Sequence, residues 1–600
     1  MTATRMVSVS QVPCAAATQA RIGTGRDVQS AAVSRHAVIL AGVCILTFFV
    51  GLGRPALTDS DEAFYAESAR EMIERGDWLT PYYNGQPRFE KPVLYYWLVA
   101  VTYVAAGPSP GAARFPAALA GVGLVLVTFA CARRWYDAPT ALLAGLIGAT
   151  SAGIVAMARQ ALPDLPLAFF VTLSVWAALV ALLEDPPGSP GPRPRRAWLL
   201  LAALAAGAAC LVKGPVGPAL AALVVLPLAA LDWRRHGLPS RATRIDLALA
   251  AALFLLVTAP WYAAMAIEHG AGYLERFFLA ENLERYASDR YNAPRPAWYY
   301  LPIIAGGLLP WSPFMLLWAP AARESWRRRI LDQRVLRLAV WAAAPLAFYT
   351  LSVGKQPRYI LPLLAPLAIL LARAVTRSLE GTPARRRALA TLGAATGVVV
   401  MVIGGLVYRA RPLLVEWNEP ATLSVALAVF LAGGAVAAFS VGAWRQGPDA
   451  TARAGVIPTL VAAAAVVMAV GAHLVVLASP GPSPVERMAA MLAVERNAGE
   501  PYGRHRVFDR NLVYYMRTAH VELPVLPAAY DFLRSPGRVL CVLRAEDAAR
   551  LRQDGLRLQR LGEVRYLNTG NLNLRTLLDP DPQRYLQRVV LVANRQESAP

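Results

Sequence analysis

Long apolar segments separated by short Arg-rich loops make up most of this 600-residue chain. Thirteen of these segments approach the roughly 20 residues that a helix needs to cross a bilayer. They lie at 36–53, 115–132, 138–158, 165–183, 198–212, 214–231, 246–267, 297–320, 338–353, 359–374, 387–408, 420–443 and 455–478. A further stretch, Val93–Ala106, is shorter and rich in Tyr and Trp, which are typical of the membrane interface. The pattern predicts a polytopic α-helical membrane protein.

The basic loops indicate whether Val93–Ala106 crosses the membrane. If it lies along the surface, all of them fall on the side of the Arg-bearing N-terminus: Arg133–Arg134, Arg193–Arg196, Arg234–Arg244, Arg323–Arg337, Arg373–Arg387 and Arg445–Arg453. If it crosses, the loops and the N-terminus lie on opposite sides, against the positive-inside rule. We therefore predict about thirteen transmembrane helices with amphipathic juxtamembrane helices, a cytoplasmic N-terminus and an outer C-terminal region.

The same pattern divides the chain into three regions. Residues 1–35 are rich in Ala, Thr, Ser and Gln and are predicted to be a disordered cytoplasmic tail. Residues 36–478 form the transmembrane domain, whose first outer loop runs from 54 to 114. At 479–600, a Pro-rich linker, a helix-like segment at 485–497 and short β-like runs, namely RVFDR, LVYYMR, RVLCVLR and RVVLVANR, predict a small α/β domain outside the membrane.

The composition indicates a membrane protein rather than a nucleic-acid-binding one. The chain is 56% hydrophobic and only 16% charged, whereas soluble proteins average about 25% charged residues. Its net charge of +21 comes largely from loops whose arginines the positive-inside rule explains. We expect no nucleic-acid partner, and the five scattered cysteines have no spacing typical of a disulfide or zinc site.

The first outer loop opens with a cluster of carboxylates directly after an apolar segment. Thr58 is an N-cap type, apolar residues follow at helical spacing, and Gly76 is a common residue after a helix end. Asp61 and Glu62 are therefore predicted in the first turn of an amphipathic helix at the membrane surface. A capping role explains such acids, and a catalytic role is the alternative.

Charges of both signs close the same loop. Arg88, Glu90 and Lys91 directly precede the interfacial stretch, and charges beside hydrocarbon are costly and tend to mark functional sites. Lys91 either extends toward lipid headgroups or binds a phosphate as a point charge. On this outer side no ATP or nucleotide sugar is available, so an enzyme must use a substrate delivered by the membrane.

Other outer segments add further candidates. Asp164 lies between two prolines at a span boundary, where it is either a helix N-cap or a carboxylate held at membrane depth. Lys213 ends a span, and extension toward the interface is the simpler explanation. Glu281 and Asn282 lie in a segment that is either a solvated amphipathic helix or a substrate lid.

Several motifs occur in order along the chain. They are Asp61-Glu62 with Tyr65-Ala66-Glu67, Arg70-Glu71-Met72, Gly76-Asp77-Trp78, Phe89-Glu90-Lys91-Pro92, ARQALPDLPLAFF with Asp164, LVKGP with Lys213, FFLAENLERY, and GKQPRYILP with Lys355, Arg358 and Tyr359. Together they resemble bacterial membrane glycosyltransferases of the lipid A aminoarabinose transferase type, a family related to protein O-mannosyltransferases with the GT-C fold. The likeness covers the membrane region.

The resemblance implies a sugar donor carried on undecaprenyl phosphate and inverting transfer on the periplasmic side of the bacterial inner membrane. Asp61 is then the candidate base or acceptor-orienting group, with Asp164 and Glu62 as supporting carboxylates. Cations stabilise a departing polyprenyl phosphate. The candidate phosphate ligands are Lys91, Lys355, Arg358, Arg88 and the hydroxyl of Tyr359, and the candidate substrate contacts are Glu90, Glu281 and Asn282.

Two positions depart from the family pattern. The aminoarabinose enzymes have Arg two residues after the Glu of the Asp-Glu pair and an aromatic residue before Phe-Glu-Lys, whereas this chain has Phe64 and Arg88. The sugar and the acceptor therefore stay open. Transfer of 4-amino-4-deoxy-L-arabinose to lipid A, transfer to another glycan, and a protein O-mannosyltransferase-like reaction are the alternatives.

Two other questions concern metal and class. We expect no cofactor, and a Mg²⁺ site built from Asp61, Glu62 and Asp164 is the alternative to a metal-free site. A transporter or flippase of lipids or solutes is the alternative class, although transporters place ionisable residues near the bilayer midplane. A family member that only binds its ligand is the third. Convergence of Asp61, Asp164, Lys91 and Arg358 in one pocket favours the enzyme.

Overall fold

Transmembrane-length helices dominate the described part of the chain. The computed structural model describes residues 35–58, 61–184, 193–237, 240–289, 293–320, 323, 327, 332–413, 419–445, 455–479, 481–567 and 574–594. Within these ranges, ten helices are long and apolar enough to cross a bilayer: Pro110–Trp135, Asp164–Leu183, Arg196–Lys213, Val216–His236, Arg241–His269, Gln333–Leu351, Pro357–Glu380, Pro383–Leu413, Glu419–Arg445 and Ile457–Ala478. Two bent pairs bring the count to twelve if each pair is one span: Ala138–Thr150 with Ala152–Ala158, and Ala297–Gly307 with Ser312–Pro320.

Shorter helices account for the remaining predicted segments. The predicted span at 36–53 corresponds to the apolar helix Arg35–Phe49, and the stretch at 93–106 to the 13-residue helix Leu94–Ala106. At 1.5 Å per residue the latter is about 20 Å long, too short for a hydrocarbon core of about 30 Å. The predicted tail lies outside the described residues, apart from Arg35. Other short helices lie at Asp61–Arg75, Gly272–Glu275, Arg276–Glu284, Arg285–Ala287, Pro484–Glu495, Leu512–Met516, Leu526–Leu533, Ala545–Gln553, Leu574–Leu578 and Pro582–Tyr585.

The C-terminal region, residues 481–594 as described, contains a mixed five-stranded sheet. After a short hairpin of β1 (Tyr82–Tyr83) and β2 (Gln86–Pro87) in the first outer loop, its strands are β3 (Tyr502–Arg504), β4 (Val521–Glu522), β5 (Leu540–Arg544), β6 (Gln559–Leu567) and β7 (Leu586–Ala593). The order is β4-β3-β5-β7-β6. β3 pairs in parallel with β4 and β5, whereas β7 is antiparallel to β5 and β6.

The central strands of this sheet are apolar on both faces because helices cover both. Along β5, Leu540 and Val542 pack into one cluster with the helix Pro484–Glu495. Cys541 and Leu543 alternate with them and pack into a second cluster with Leu526–Leu533 and Ala545–Gln553. A strand buried on both faces reads as a continuous apolar run, which explains why RVLCVLR and RVVLVANR were recognisable from the sequence. The prediction was wrong for RVFDR, which is irregular, and for LVYYMR, which forms the helix Leu512–Met516. Short apolar runs do not distinguish a strand from one or two helical turns.

The C-terminal region contacts the first outer loop at two places, and at each one side chains hydrogen-bond to backbone groups. The Leu57 N–H donates to the Tyr515 hydroxyl (2.8 Å), and the Asn511 amide donates to the Leu57 carbonyl (2.9 Å). At the hairpin, the Asn84 side chain donates to the His520 carbonyl (3.1 Å) and accepts from the His520 N–H (2.9 Å). These bonds join parts of the chain more than four hundred residues apart.

The helix Asp61–Arg75 in the first outer loop is covered by protein, although its sequence predicts a surface helix. Tyr65 and Met72 are buried in one cluster with residues of Leu94–Ala106 and with Tyr514 of the C-terminal region. The helix ends as predicted, because Gly76 follows it with φ +68°, a conformation that favours glycine. The C-terminal region, which the local pattern cannot anticipate, covers the exposed side.

Glu62 and Arg114 hold the start of this loop. The fully buried Glu62 carboxylate accepts from Arg114 Nε (2.6 Å) and Nη2 (3.1 Å), and from the backbone N–H groups of Thr58 (2.9 Å) and Ala161 (3.0 Å). Arg114 also donates to the carbonyls of Leu52, Pro55 and Ala56. The interactions satisfy both buried charges and fix the backbone that leads into Asp61.

We predict that Glu62→Ala destabilises the protein strongly. Removing one partner of a buried ion pair leaves the other charge uncompensated, at a cost of about 3–5 kcal/mol. Thermal unfolding of the detergent-purified variant is expected at a clearly lower temperature. Glu546→Ala, which breaks an exposed ion pair with Arg544, is the matched control and is expected to change little. Wild-type stability of Glu62→Ala with lost activity would instead support a catalytic Glu62.

Candidate functional site

A cavity of about 940 Å³ collects most of the candidate residues. Its walls come from the first outer loop, from the ends of several spans, from the segment around Glu281 and from the C-terminal region. The predicted residues that line it are Asp61, Arg88, Glu90, Lys91, Asp164, Glu281, Asn282, Arg358 and Tyr359. Further side chains that line it are Phe64, Tyr65, Lys213, Arg285, Tyr286, Tyr349 and Arg510. Asp61, Asp164, Lys91 and Arg358 therefore converge on one pocket, which favours the enzyme over a protein that only binds or transports.

Two predicted site residues are not among the residues that line the cavity. Glu62 lies one position after Asp61 on the helix, so its side chain points away and meets Arg114. Lys355 is 7% exposed, and its Nζ donates to the Ser352 carbonyl. Glu62 thus has its partners outside the cavity, whereas Lys355 bonds a residue of the cavity wall from behind it.

Five charged side chains alternate in sign across the cavity. Lys213 Nζ lies 2.5 Å from Asp164 Oδ1, and Asp164 Oδ2 lies 3.6 Å from Arg358 Nε. Arg358 donates to Asp61 Oδ2, and Arg510 Nη1 donates to Asp61 Oδ1 at 2.6 Å. Asp164 is the first residue of its helix and Pro163 is the N-cap, so the predicted N-cap alternative is wrong and the Asp164 carboxylate belongs to this chain of charges. Each carboxylate is held between two cations, as charges removed from water require.

The surroundings of Asp61 favour its ionised form. Burial alone would raise the pKa of this carboxyl, but the charges of Arg358, Arg510 and Arg88 and the hydrogen bond from Arg358 lower the pKa below its usual value. A carboxylate with a lowered pKa is a weak base at neutral pH. Its chemistry is therefore orientation and charge stabilisation more than proton abstraction.

The two exchanged positions, Phe64 and Arg88, are in contact. The Arg88 guanidinium lies 3.8 Å from the centre of the Phe64 ring, and that of Arg510 lies 5.0 Å from it. Arg88 Nε also lies 3.2 Å from Glu90 Oε2. Cations over an aromatic ring are stabilised by its negative face. Phe64 thus organises two arginines at the cavity wall.

Lys91 lies in a cationic part of the cavity. Burial and the positive charges of Arg285 and Lys213 lower the pKa of its ammonium from 10.5 to about 7, and Glu281 opposes them in part. Desolvation and like charges both disfavour the charged amine. An anion bound at this position would relieve that repulsion, so the local electrostatics suit a phosphate.

The segment around Glu281 forms another wall. Glu281 is buried and pairs with Arg285 at 2.6 Å, while the Asn282 amide donates to the Phe277 carbonyl at 2.7 Å. On the facing side, the Tyr359 ring stacks on Tyr349 and lies 5.0 Å from Lys213 Nζ. Contacts within the protein therefore hold both the segment around Glu281 and the Tyr349–Tyr359 stack in place.

The alternative magnesium site does not fit this arrangement. Glu62 faces Arg114, and the oxygens of Asp61 and Asp164 face Arg358, Arg510 and Lys213. Within the described ranges, no three His, Cys, Asp or Glu side chains are grouped so that they could hold a metal ion.

Several residues that line the cavity were not among the predicted site residues, and Arg510 and Lys213 are two of them. Arg510 could not be found, because only folding brings the C-terminal region to Asp61. Lys213 could have been found by counting: Lys91, Lys213 and Lys355 are the only lysines among 60 basic residues. A compact ammonium is not interchangeable with a guanidinium. A chain that uses Arg almost everywhere and keeps Lys only in outer motifs points to a need for that smaller cation there.

Comparisons with known proteins agree with the predicted resemblance. A family model described as dolichyl-phosphate-mannose-protein mannosyltransferase matches residues 45–269. The undecaprenyl phosphate-alpha-4-amino-4-deoxy-L-arabinose arabinosyl transferase of Pseudomonas aeruginosa (strain LESB58) is 34% identical over 408 residues, which cover 67% of this chain and 70% of that protein. The protein of the same description from Aeromonas salmonicida (strain A449) is 32% identical over 398 residues, covering 66% and 70%.

A solved structure shows the fold. The crystal structure of ArnT from Cupriavidus metallidurans bound to undecaprenyl phosphate superposes with a TM-score of 0.70 at 24% identity, covering 94% of this chain and 98% of that one. The predicted fold class is confirmed: a polytopic helical membrane protein of the GT-C type with a C-terminal sheet region.

We predict that Lys91 titrates near neutral pH. After reductive ¹³C-methylation, one dimethyl-lysine resonance is expected to shift with a midpoint near pH 7, because burial and neighbouring cations lower the pKa of Lys91 to about 7. Lys91→Arg should remove that resonance, whereas Lys213→Arg, which keeps the neighbouring charge, should retain it. Resonances that stay constant between about pH 6 and pH 9 would contradict the assignment, since an ordinary lysine titrates near pH 10.4.

Proposed function

The chain belongs to the undecaprenyl phosphate-α-4-amino-4-deoxy-L-arabinose arabinosyl transferase family and is a membrane glycosyltransferase, and on that premise we propose that it transfers 4-amino-4-deoxy-L-arabinose from undecaprenyl phosphate to a lipid A phosphate. One observation carries the proposal. The Asp61 carboxylate, paired with Arg358 and Arg510, shares one cavity with the cationic group around Lys91. A transferase of this kind needs both an anion-binding end and a carboxylate that stabilises positive charge at the anomeric carbon.

The charge balance of the cavity supports an anionic ligand. Among the described side chains that line it, six are basic (Arg88, Lys91, Lys213, Arg285, Arg358 and Arg510) and four are acidic (Asp61, Glu90, Asp164 and Glu281). The excess of basic over acidic side chains suits the phosphate of a lipid-linked sugar. We assign the donor phosphate to Lys91 with Lys213 and Arg285, because the positive charges of Arg285 and Lys213 disfavour a charged Lys91 and a bound anion would offset that repulsion.

The state of Asp61 favours a phosphate acceptor over a hydroxyl acceptor. A hydroxyl is protonated at neutral pH and benefits from a general base, which works best with a pKa near the operating pH. The Asp61 pKa is lowered by its arginines, so it is a weak base. A phosphate acceptor is already anionic and needs no base, and the cation Arg358 beside Asp61 can orient it. This argues for lipid A phosphate and against the protein O-mannosyltransferase-like alternative.

The residues assigned to each step follow from this geometry. Cations at the donor end stabilise the charge that grows on the departing undecaprenyl phosphate. Asp61 stabilises positive charge that develops at the anomeric carbon. Arg358 beside it orients the anionic acceptor, and Asp164 holds Arg358 in place. Attack opposite the leaving phosphate gives inversion. The reaction occurs in the inner membrane, and we assign the cavity and the C-terminal region to the periplasmic side.

The test is turnover of purified protein with undecaprenyl phosphate-linked aminoarabinose and lipid A, followed by mass spectrometry of lipid A. Wild-type protein is expected to add one sugar, and Asp61→Asn to lower kcat by about 100-fold or more, because it removes charge stabilisation that acts in the transition state. Donor binding by Asp61→Asn should persist. Unchanged unfolding temperature serves as the folding control.

The competing functions give other results in the same assay. Transfer from a polyprenyl phosphate-linked mannose to a peptide hydroxyl would replace the proposed reaction by the mannosyltransferase alternative. Wild-type turnover by Asp61→Asn would show that Asp61 is a structural residue of a covered helix. No modification of any acceptor, together with transbilayer movement of the lipid in vesicles, would favour a flippase.

A topology prediction accompanies the assignment of sides. A reporter that is active only in the periplasm is expected to be active when fused after Ser479 and inactive when fused after Arg377, because the positive-inside rule keeps the basic loop at 373–387 in the cytoplasm. The reverse pattern would move the cavity to the cytoplasmic side and remove the argument for a lipid-carried donor.

A further inference from the structure

We propose that Arg510 of the C-terminal region is a positioning residue of the transfer site, which fixes the Asp61 carboxylate by bonding Oδ1 while Arg358 bonds Oδ2. The inference rests on the proposed function, because it concerns the reaction in which Asp61 acts. It makes the C-terminal region a component of the active site rather than an appended unit.

Two bonds to separate oxygens determine the plane of the carboxylate. Arg510 Nη1 lies 2.6 Å from Asp61 Oδ1, and Arg358 donates to Oδ2. The terminal torsion of an aspartate has only a broad intrinsic preference, so its partners set the orientation. With Arg358 alone, the carboxylate would remain free to rotate about that single contact.

Arg510 is itself held in position by the first outer loop. Its carbonyl accepts a hydrogen bond from the Tyr83 hydroxyl (3.2 Å), and its guanidinium lies 5.0 Å from the Phe64 ring centre. Tyr83 in turn packs edge-on against Phe64 at 4.5 Å. The guanidinium therefore reaches Asp61 from a fixed backbone and over a fixed ring, which is the preorganisation that a site residue needs.

The contacts that join the C-terminal region to the loop do not depend on the Arg510 side chain. The bonds of Tyr515 and Asn511 to Leu57, and the paired bonds between Asn84 and His520, remain when that side chain is shortened. The Arg510 side chain is 41% exposed, against 21% for Arg358. Arg510 lines the cavity and is the more exposed of the two partners of Asp61, so loss of its charge is expected to affect the reaction more than the fold.

The charges around Asp61 give this role a pH signature. The groups that face Asp61 are Arg510 from the C-terminal region, Arg358 from the span beginning at Pro357, Arg88 from the end of the first loop, and Tyr65 and Tyr96 from two loop helices, with Asp164 beyond Arg358. Nearby cations lower a carboxyl pKa. Removing one of them raises the Asp61 pKa, so the acid limb of the kcat/KM profile should move to higher pH.

The experiment compares Arg510→Gln, Arg510→Lys and the control Arg550→Gln, which changes an exposed arginine elsewhere in the C-terminal region. With the undecaprenyl phosphate-linked donor and lipid A, Arg510→Gln is expected to lower kcat by on the order of 10–100-fold. Its KM for the donor should stay near the wild-type value. The acid limb of its kcat/KM profile should move to higher pH by about half a pH unit or more. Arg510→Lys should recover much of the loss, and Arg550→Gln should match the wild type.

The unfolding temperature and the wild-type activity separate the outcomes. A lowered unfolding temperature with unchanged kcat per folded molecule and an unmoved pH profile would make Arg510 a structural contact and overturn the proposal. Wild-type kinetics in Arg510→Gln would overturn it as well. If the wild type transfers no aminoarabinose, the proposed function fails first, and the pH profile of Arg510→Gln is then measured with whichever donor and acceptor the wild type uses.

Discussion

The buried ion pair of Glu62 and Arg114 is the interaction on which the site depends. A charge out of water requires partners for every lone pair and N–H group, and here one carboxylate and one guanidinium satisfy each other together with several backbone groups. The pair joins the end of the first helix, the start of the loop helix and the loop before Asp164. Asp61 and Asp164 owe their mutual position to it, because each lies within a few residues of a backbone group that the pair binds.

The same rule organises the cavity, with a different outcome. From Lys213 through Asp164, Arg358 and Asp61 to Arg510, each carboxylate is matched by cations. The sum is not neutral, because further basic side chains gather around Lys91. In Glu62 and Arg114 the protein satisfies its charges internally and gains rigidity. In the cavity it leaves excess positive charge, which is stable only with solvent or an anionic ligand present.

The exchange of Phe64 and Arg88 fits this electrostatic organisation. The ring and the guanidinium occupy the two departing positions and contact each other, so charge and aromatic surface stay within one small part of the wall. The pair also gives Arg510 a surface to lie against. Phe64, which stands where the family has Arg, therefore contacts the cation Arg88, which stands where the family has an aromatic residue. Changing only one of the two is expected to disturb the cavity wall more than changing both.

The sequence by itself determined the membrane class, most spans, two strands of the C-terminal sheet (β5 and β7) and nine of the cavity residues, because apolar length and short motifs are local properties of the chain. It also identified both neighbouring carboxylates, Asp61 and Glu62, as candidate catalytic residues. Only the tertiary structure separated them: adjacent helical residues point in directions about 100° apart, and one meets Arg114 while the other meets the cavity. Arg510 and the covering of the loop helix depend on contacts across more than four hundred residues, and no local pattern encodes which distant side chain will supply the second cation.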